Sequence, residues 1–598
     1  SRAAKIPSPP KGRRMARTRA LALAALAVLP LTTCQTTITA RDGFGNQVDW
    51  FFILKLPNGT FPASELWKLE VSGGRISVAD LDIGSQHCNC PDPSCDGMPY
   101  PEYGAGRGSG LCYLYADSNN STLRYFTDVT NDKGEPMECL GQGGNDPLSQ
   151  TMRQLQNEDA YSADDVEWAI WNDELQALAD SYDADVCAYS SYSDEGLPYT
   201  PCSTDADCGL RCSGSPYEEC TDDADCSSGT CKQISCKSRE LPQYANTCGS
   251  PYGHSKGALA YEKDSTGFFL QATTPNWPDP SQRDVFVPLG CQLDNNAYLS
   301  QSFMGVTLEA DTFSDIAKNL ESARLCSTGT LSCRNGSAGH LIDFNCTSEQ
   351  TRGEDWSILD TAFSGNSNAG MHSNSATVTT PGGVDVSLIV HSSEDAVPPW
   401  MVVADELEVD LGVASWWDYN YGFASICAGD DYSATTNNMC LVSEELGLSL
   451  NSEGGAAYSL ENAIAASFVM NGQDLAWGLW GDFTSIASHA KFGTAASWDF
   501  PWVVSGDENN QGWSCSTSCT GSQNGRGGLF WAINDADLHA SMYSTLKTVC
   551  ACNSFSVDYK RFCNFGCSYK NTTASMPIGP SYLQQSSFWD ADNKAWIP

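Results

Sequence analysis

Tyr252-Gly253-His254-Ser255-Lys256-Gly257 is the stretch around which the rest of the sequence is organised, and Ser488-His489-Ala490-Lys491-Phe492 repeats its pattern. In a β-strand, side chains two residues apart project from the same face, so each histidine would lie beside a lysine. An imidazole beside a fixed positive charge suits chemistry at a phosphate. The chain has only seven histidines, so two H-x-K triplets are more than chance predicts. We expect both triplets to build one active site.

The composition is that of a folded, strongly acidic protein. Hydrophobic residues make up 41 % of the 598 residues, which excludes the disordered class. The formal charge of −40 and the pI near 4.3 would repel a polyanion at neutral pH. Near the pI many carboxylates are protonated and this repulsion fades, so the composition favours an acidic working pH. The alternative is that acidity only keeps a secreted protein soluble.

The first residues and the cysteines indicate passage through an oxidising lumen. Arg17 and Arg19 precede an apolar run over 20–31, which is typical of a signal peptide, and we assign residues 1–40 to upstream sequence and this signal. The run is too short to span a bilayer, and no later stretch of about 20 apolar residues predicts a membrane anchor. Twenty-seven cysteines favour a secreted or lysosomal protein. Glycosylation sequons agree, at Asn58, Asn119, Asn120, Asn335, Asn345 and Asn571.

Strand and helix patterns predict an α/β chain in two halves. The apolar run Val48–Leu56 predicts a strand in the middle of a covered sheet. Ser302–Leu308 resembles a strand that opens a second half, and Leu460–Met470 predicts a helix capped by Ser459. The predicted domains are 41–295 and 296–598, the second with a cysteine-rich tail.

Residues 187–248 interrupt the first half with cysteine, aspartate, serine and glycine. Cys202-Ser-Thr-Asp-Ala-Asp-Cys208 is echoed by Cys220-Thr-Asp-Asp-Ala-Asp-Cys226, a short internal repeat. We interpret the segment as a disulfide-stapled insertion. Its aspartates suggest calcium ligands as an alternative, but the glycine and terminal glutamate of an EF-hand loop are missing.

Each H-x-K triplet is followed at a similar separation by a strand and then an asparagine, Asn276 in one half and Asn509 in the other. This symmetry suits a pseudo-dimer in which both halves surround one phosphate. One neutral imidazole would attack phosphorus while the opposite imidazolium protonates the leaving oxygen. Lysines and amides would stabilise the charge of the transition state.

The ordered motifs resemble the deoxyribonuclease II family. They are Val48-Asp49-Trp50-Phe51, Gly253–Gly257 with Gly267-Phe268-Phe269-Leu270 and Pro275-Asn276-Trp277-Pro278, and His489-Ala490-Lys491 with Gly506-Asp507-Glu508-Asn509 and Arg526-Gly527-Gly528. The resemblance covers roughly residues 45–545, apart from the insertion and parts of 347–393.

The resemblance implies an acid endonuclease that cuts DNA without a metal or other cofactor and leaves 3′-phosphate and 5′-hydroxyl ends. It implies a phospholipase D-like α/β (α+β) fold: two pseudo-symmetric halves, each with a central mixed sheet flanked by helices. His254 and Lys256 match the first catalytic motif, and His489 and Lys491 match the second. Asn276 and Asn509 fall where the wider superfamily places an asparagine beside the phosphate. We expect His254 as nucleophile and His489 as general acid, an assignment that pseudo-symmetry allows to be reversed.

The sequence departs from the family pattern around the second histidine. An acidic residue normally precedes it and a tryptophan follows the lysine, whereas Ser488 and Phe492 stand here. Loss of that carboxylate would shift the pH optimum or reduce activity. Asp482, Asp499 and Asp507 are candidates to replace the missing carboxylate.

Several alternatives accompany this interpretation. The enzyme could be a phosphodiesterase of the same fold acting on a lipid or small diester, or a secreted binding protein or toxin with little turnover. Homodimerisation and a partner for the insertion are both possible. Arg526 could contact phosphate or belong to a plain glycine-rich turn, which we favour, and Trp277 could stack on a base or line the core. No role is expected for His87, His340, His372, His391 and His539.

Overall fold

The computed structural model describes most of the two halves and parts of the insertion. The described residues are 37–57, 61–62, 111–156, 166–174, 181–188, 204–208, 210–212, 215–226, 230–233, 235–242, 252–262, 265–275, 277–278, 289, 299–325, 330–332, 370–395, 397–415, 428, 456–470, 473–478, 488–510, 525–546, 548–549, 588–590 and 595–597. Among them, no helix has the length and apolar character needed to cross a membrane.

The described chain is rich in β-strands. The strands are β1 (Trp50–Lys55), β2 (Phe61–Pro62), β3 (Tyr113–Asp117), β4 (Asn120–Tyr125), β5 (Val166–Asn172), β6 (Ser181–Ala188), β7 (Leu210–Cys212), β8 (Ser215–Glu219), β9 (Cys231–Gln233), β10 (Ser235–Pro242), β11 (Lys256–Glu262), β12 (Thr266–Ala272), β13 (Gln301–Glu309), β14 (Thr330–Ser332), β15 (Asn374–Thr379), β16 (Asp385–His391), β17 (Leu411–Ala414), β18 (Leu460–Met470), β19 (Gln473–Gly478), β20 (Phe492–Ala495), β21 (Trp502–Gly506), β22 (Gly528–Asn534), β23 (Thr548–Val549), β24 (Phe588–Asp590) and β25 (Ala595–Ile597). The α-helices are α1 (Pro147–Gln156), α2 (Phe313–Ala323), α3 (Pro399–Glu406) and α4 (Ala536–Thr545).

Two large sheets repeat one arrangement of strands. The first has the order β14-β5-β11-β12-β13-β1-β3-β4, and the second contains β15-β16-β22-β21-β20-β17-β18-β19-β2. The run β5-β11-β12-β13-β1 of the first sheet corresponds to β17-β20-β21-β22-β16 of the second. In each sheet a helix follows the corresponding strand, α2 after β13 and α4 after β22. The predicted α/β class with two pseudo-symmetric halves is confirmed; the described pairs of the first sheet are all antiparallel, while β17 and β18 make the second mixed.

Apolar side chains fill the space between the two sheets. Phe269 of β12 packs against Trp531 of β22 with ring centroids 5.2 Å apart. Leu529 and Trp531 join this core, while Phe530 between them joins a separate core that includes α3. This alternation follows from the two-residue period of a strand, which lets β22 bury both faces. The prediction that β1 is a central, covered strand is confirmed, because all six of its residues are buried.

Two predicted elements are different in the structure. Leu460–Met470 is strand β18 and not a helix, because it pairs with β17, β19 and β23. Ser459 does not cap a helix; its hydroxyl accepts a hydrogen bond from the amide of Ala428 at 2.9 Å. The strand expected to open the second half, β13, instead lies between β12 and β1 in the first sheet. The boundary near 295 stays a prediction.

The insertion is organised around a two-stranded ribbon and aspartate side chains. Strands β6 and β10 pair from Ser181↔Pro242 to Ala188↔Ser235, and a disulfide joins Cys220 and Cys231. The repeated aspartates bond to backbone amides: Asp205 Oδ1 accepts from Cys236 at 2.7 Å and Asp223 Oδ1 from Cys231 at 2.8 Å. These hydrogen bonds support the interpretation of the insertion as a disulfide-stapled structural unit.

Candidate active site

Each histidine of the two triplets is held by the backbone of the opposite half. The amide of His254, which precedes β11, donates to the carbonyl of Gly527 at 2.7 Å. The amide of His489, which precedes β20, donates to the carbonyl of Ser300 at the same distance. Gly527 and Ser300 stand just before the corresponding strands β22 and β13. Backbone pairing therefore brings the two predicted motifs together across the halves.

The imidazole rings are oriented by equivalent contacts. His254 Nδ1 lies 2.9 Å from the carbonyl oxygen of Asp507, directly after β21. His489 Nδ1 lies 2.8 Å from the carbonyl oxygen of Thr273, directly after β12. A carbonyl only accepts, so Nδ1 donates in both rings. In the neutral form of each ring, the lone pair is then on Nε2, the atom that can attack phosphorus.

Glycines allow this close contact between the halves. A Cβ on Gly253 would lie 2.6 Å from the carbonyl oxygen of Ala323, at the end of α2, and one on Gly527 would lie 2.0 Å from the same atom. Both distances are too short for any side chain. The glycines flanking the motifs therefore have a packing reason, which is to let His254 reach the second half.

Lys256 is held by two carboxylates at the end of β5. Its Nζ lies 2.6 Å from Asp173 Oδ1 and 2.9 Å from Glu174 Oε2. The other oxygen of Asp173 pairs with Arg526 Nη2 at 2.6 Å, and Glu174 Oε1 lies 3.2 Å from His254 Nε2. Because β5 and β11 pair with Lys256 opposite Asn172, the acidic pair arrives directly beside the first motif.

Lys491 has a different environment from Lys256. It is fully buried, and its Nζ donates to the carbonyl of His489 at 2.8 Å and lies 3.3 Å from His489 Nδ1. Across the described ranges it forms no ion pair with a carboxylate. Ser415 follows β17 in the position that Asn172 has at the end of β5.

The pKa shifts follow these contacts. Burial would lower the pKa of Lys256, but Asp173 and Glu174 outweigh burial and raise it above its usual value. Burial and the charge of Lys256 lower the pKa of Lys491 well below its usual value. Burial also lowers the pKa of His254 to about 4, although the two carboxylates oppose this, and lowers that of His489 well below its usual range.

The carboxylates also form a group that has the geometry of a metal site. One ligand atom each from Asp173, Glu174 and His254 lies within 4.8 Å of the others. Lys256 Nζ, however, contacts both carboxylates and supplies a positive charge at this place. A divalent ion there would be repelled by the ammonium group, so these residues fit a lysine-centred network better than a metal.

The structure describes three of the four other residues that the sequence singled out, Asn509, Ser488 and Trp277. Asn276 lies outside the described residues, and Asn509 lies in the buried turn after β21. Ser488 is buried, and its hydroxyl accepts from the amide of Ala490 at 3.2 Å. Trp277 is buried against Phe303, with ring centroids 5.5 Å apart, which supports the core interpretation.

Among the substitutes for the missing acidic residue, Asp482 lies outside the described residues and Asp499 is exposed. Asp507 is buried, and its carbonyl contacts the other histidine, His254. Sequence reasoning missed Asp173 and Glu174 and undervalued Arg526. Asp173 and Glu174 could have been recognised in the sequence as an acidic dipeptide directly after a strongly apolar strand.

Comparison with known proteins identifies the family of the chain. The profile of the family described as Deoxyribonuclease II matches residues 240–552, which is more than half of the chain. The chain belongs to the deoxyribonuclease II family. This match contains both H-x-K motifs, β22 and the cross-half contacts around them. No curated protein gives a significant match. Membership of the deoxyribonuclease II family indicates a hydrolase that acts on DNA.

Proposed function

We propose that the chain is an acid endonuclease that hydrolyses DNA phosphodiester bonds without a metal, through a phosphohistidine intermediate, and leaves 3′-phosphate and 5′-hydroxyl ends. The observation that carries the proposal is the reciprocal contact of His254 with Gly527 and of His489 with Ser300. It supports one composite site with a histidine and a lysine from each half. His254, Lys256, His489 and Lys491 are its proposed catalytic residues, and Asn276 and Asn509 its proposed phosphate contacts.

The proposed reaction needs two imidazoles in opposite protonation states. One Nε2 attacks phosphorus, and the other histidine protonates the departing 5′ oxygen. Lys256 and Lys491 hold the non-bridging oxygens and offset the charge that develops on them. Water then releases the 3′-phosphate, activated by the histidine that has lost its proton.

A DNA nicking assay tests the proposal. Supercoiled plasmid is incubated with the protein at acid pH in EDTA, with His254→Ala and His489→Ala as variants. We expect nicking by the wild-type protein and a loss of about 10³-fold or more in each variant, since the two groups act as one unit. Full activity in either variant would contradict a shared site, and a requirement for magnesium would contradict the metal-free reaction. Vesicles tested alongside plasmid separate the nuclease from a lipid phosphodiesterase.

The setting of the reaction is part of the same proposal. Family membership and the cysteine content support a secreted or lysosomal protein. At a lumenal pH near the pI of about 4.3, the charge of −40 is largely neutralised and DNA can approach. The signal peptide, a homodimer and a partner for the insertion stay predictions.

A further inference from the structure

Glu174 makes the two imidazoles chemically different. At His254 both ring nitrogens face oxygen acceptors, the carbonyl of Asp507 at Nδ1 and the carboxylate of Glu174 at Nε2. A ring between two acceptors is satisfied when both nitrogens carry protons. One proton therefore lies between His254 Nε2 and Glu174 Oε1, at the atom that faces the reaction.

His489 has the opposite surroundings. Its Nδ1 lies 2.8 Å from the carbonyl of Thr273 and 3.1 Å from Gln301 Oε1, so this nitrogen carries the proton. Lys491 Nζ lies 3.3 Å from Nδ1 and 3.5 Å from Nε2. A neighbouring cation disfavours a second positive charge on the ring, so His489 is held neutral with its lone pair on Nε2.

We propose that Glu174 is a positioning residue that favours the protonated form of His254, which makes His254 the proton donor and His489 the nucleophile. The proposal rests on the proposed function and reverses the assignment expected from the sequence. Glu174 is suited to the task because its side chain is 25 % exposed and reaches the buried His254 from the turn after β5. It contacts His254 at the nitrogen that would deliver the proton.

The other charges around the site support this order. Asp173 and Glu174 reach His254 from the end of β5, Lys256 lies on the strand His254 precedes, and Asp507 and Arg526 approach from the second half. The carboxylates oppose the lowering of the His254 pKa by burial and Lys256 and leave it at about 4. For His489, burial and Lys491 lower the pKa well below the usual range; Glu174 opposes this, and the charges of Lys256 and His254 lower the pKa further. These charges therefore support the ring contacts, which favour His254 as the protonated ring.

The reaction has two steps. His489 Nε2 gives its lone pair to phosphorus, the bond from phosphorus to the 5′ oxygen breaks, and that oxygen takes the Nε2 proton of His254. A water molecule then attacks the phosphorus of the phosphohistidine and gives a proton to His254 Nε2, and the electron pair of the P–N bond returns to His489. Glu174 stabilises the imidazolium of His254 at the start and at the end of this cycle.

A substrate with an activated leaving group separates the two roles. Thymidine 3′-(p-nitrophenyl phosphate) releases p-nitrophenolate, which needs no proton donor, so the attack on it depends only on the nucleophile. We expect His254→Ala to give a burst of one p-nitrophenolate per protein followed by slow turnover, because the second step lacks its base. His489→Ala is expected to give no burst. A burst in His489→Ala, or in neither variant, would overturn the assignment.

A measurement on the wild-type protein avoids any dependence on folded variants. The reaction with the activated ester is quenched in alkali, in which phosphohistidine is stable, and the modified peptide is identified by mass spectrometry. The adduct is expected on His489. An adduct on His254 would refute only the assignment of roles to the two histidines. A wild-type protein that leaves plasmid intact at acid pH in EDTA would refute the proposed function itself.

Glu174→Gln tests the positioning residue itself. The amide keeps the size of the side chain and removes the charge that stabilises the imidazolium. On DNA, the alkaline limb of the activity profile is expected to move down by about one pH unit or more, while the burst with the activated ester keeps its pH profile. Glu309→Gln, at the exposed end of β13, serves as the matched control without a shift. An unchanged DNA profile in Glu174→Gln would contradict the proposal.

Discussion

Asp507→Asn should remove a pH-dependent cost from the folded state. Asp507 is buried behind the active site, and its Oδ1 accepts a hydrogen bond from the amide of Leu529 at 2.8 Å. Burial raises the pKa of this carboxyl from 3.8 to about 8. The folded state therefore holds a proton that the unfolded chain releases above pH 4. Stability from this group is present below the unfolded pKa and is lost as the pH rises towards the folded pKa.

The size of the effect follows from that pKa difference. Each pH unit between the two pKa values costs the folded state about 1.4 kcal/mol. From pH 5 to pH 8 the wild-type protein would lose about 3–4 kcal/mol through this one carboxyl, allowing for partial titration near the end. Asparagine has the shape of the neutral carboxyl and keeps the acceptor for Leu529, so the variant escapes the loss.

Urea unfolding at pH 5, 6, 7 and 8 measures the difference between variant and wild type. Other groups titrate in both proteins and cancel in the comparison. We expect the variant to gain stability relative to wild type by about 1 kcal/mol per pH unit. Asp499→Asn, at an exposed aspartate of the same half, should show no such trend. A difference that stays constant from pH 5 to pH 8 would refute the reasoning.

Four further changes give distinct outcomes. Lys256→Met should cost about 3–5 kcal/mol in urea unfolding, because Asp173 loses a buried partner. Lys491→Met should leave stability within about 1 kcal/mol of wild type. Both variants should lose nicking activity, and equal stability losses would contradict the charge asymmetry. Gly253→Ala should lower stability by about 1–3 kcal/mol and reduce activity, since its Cβ would meet the end of α2, and a fully active, equally stable variant would show that the contact is dispensable. Replacing residues 189–234 by Asn-Gly should leave nicking at acid pH intact, because the turn joins β6 and β10 where these strands already pair. Loss of activity in a folded variant would show that the insertion takes part in catalysis.

The sequence predicted the parts of the fold that are encoded locally. The apolar run at β1 and the H-x-K triplets can be recognised without knowing their neighbours in space. Asp173 and Glu174 could not be placed in the site in this way, because their contact with Lys256 depends on the pairing of β5 with β11. That pairing spans the whole insertion, and nothing local specifies it.

Strand β18 shows why one predicted element was wrong. Leu460–Met470 is rich in alanine and has apolar residues at helical spacing, so its intrinsic preference favours a helix. In the fold it has strand partners on both sides and a register irregularity between Ala463 and Ala465. Tertiary pairing of this kind overrides propensity, which is worth only a few tenths of a kcal/mol per residue.

The asymmetric charges of the site explain how a pseudo-symmetric backbone can support two different roles. If both imidazoles had the same pKa, at most about a quarter of the molecules would have the acid protonated and the nucleophile neutral. When the pKa of His254 lies above that of His489, this fraction rises above a quarter at a pH between the two pKa values. With the roles reversed, the same order of pKa values would leave this fraction below a quarter at every pH. The contact of Glu174 with Nε2 of His254, and the place of Lys491 beside His489, therefore favour His254 as the acid.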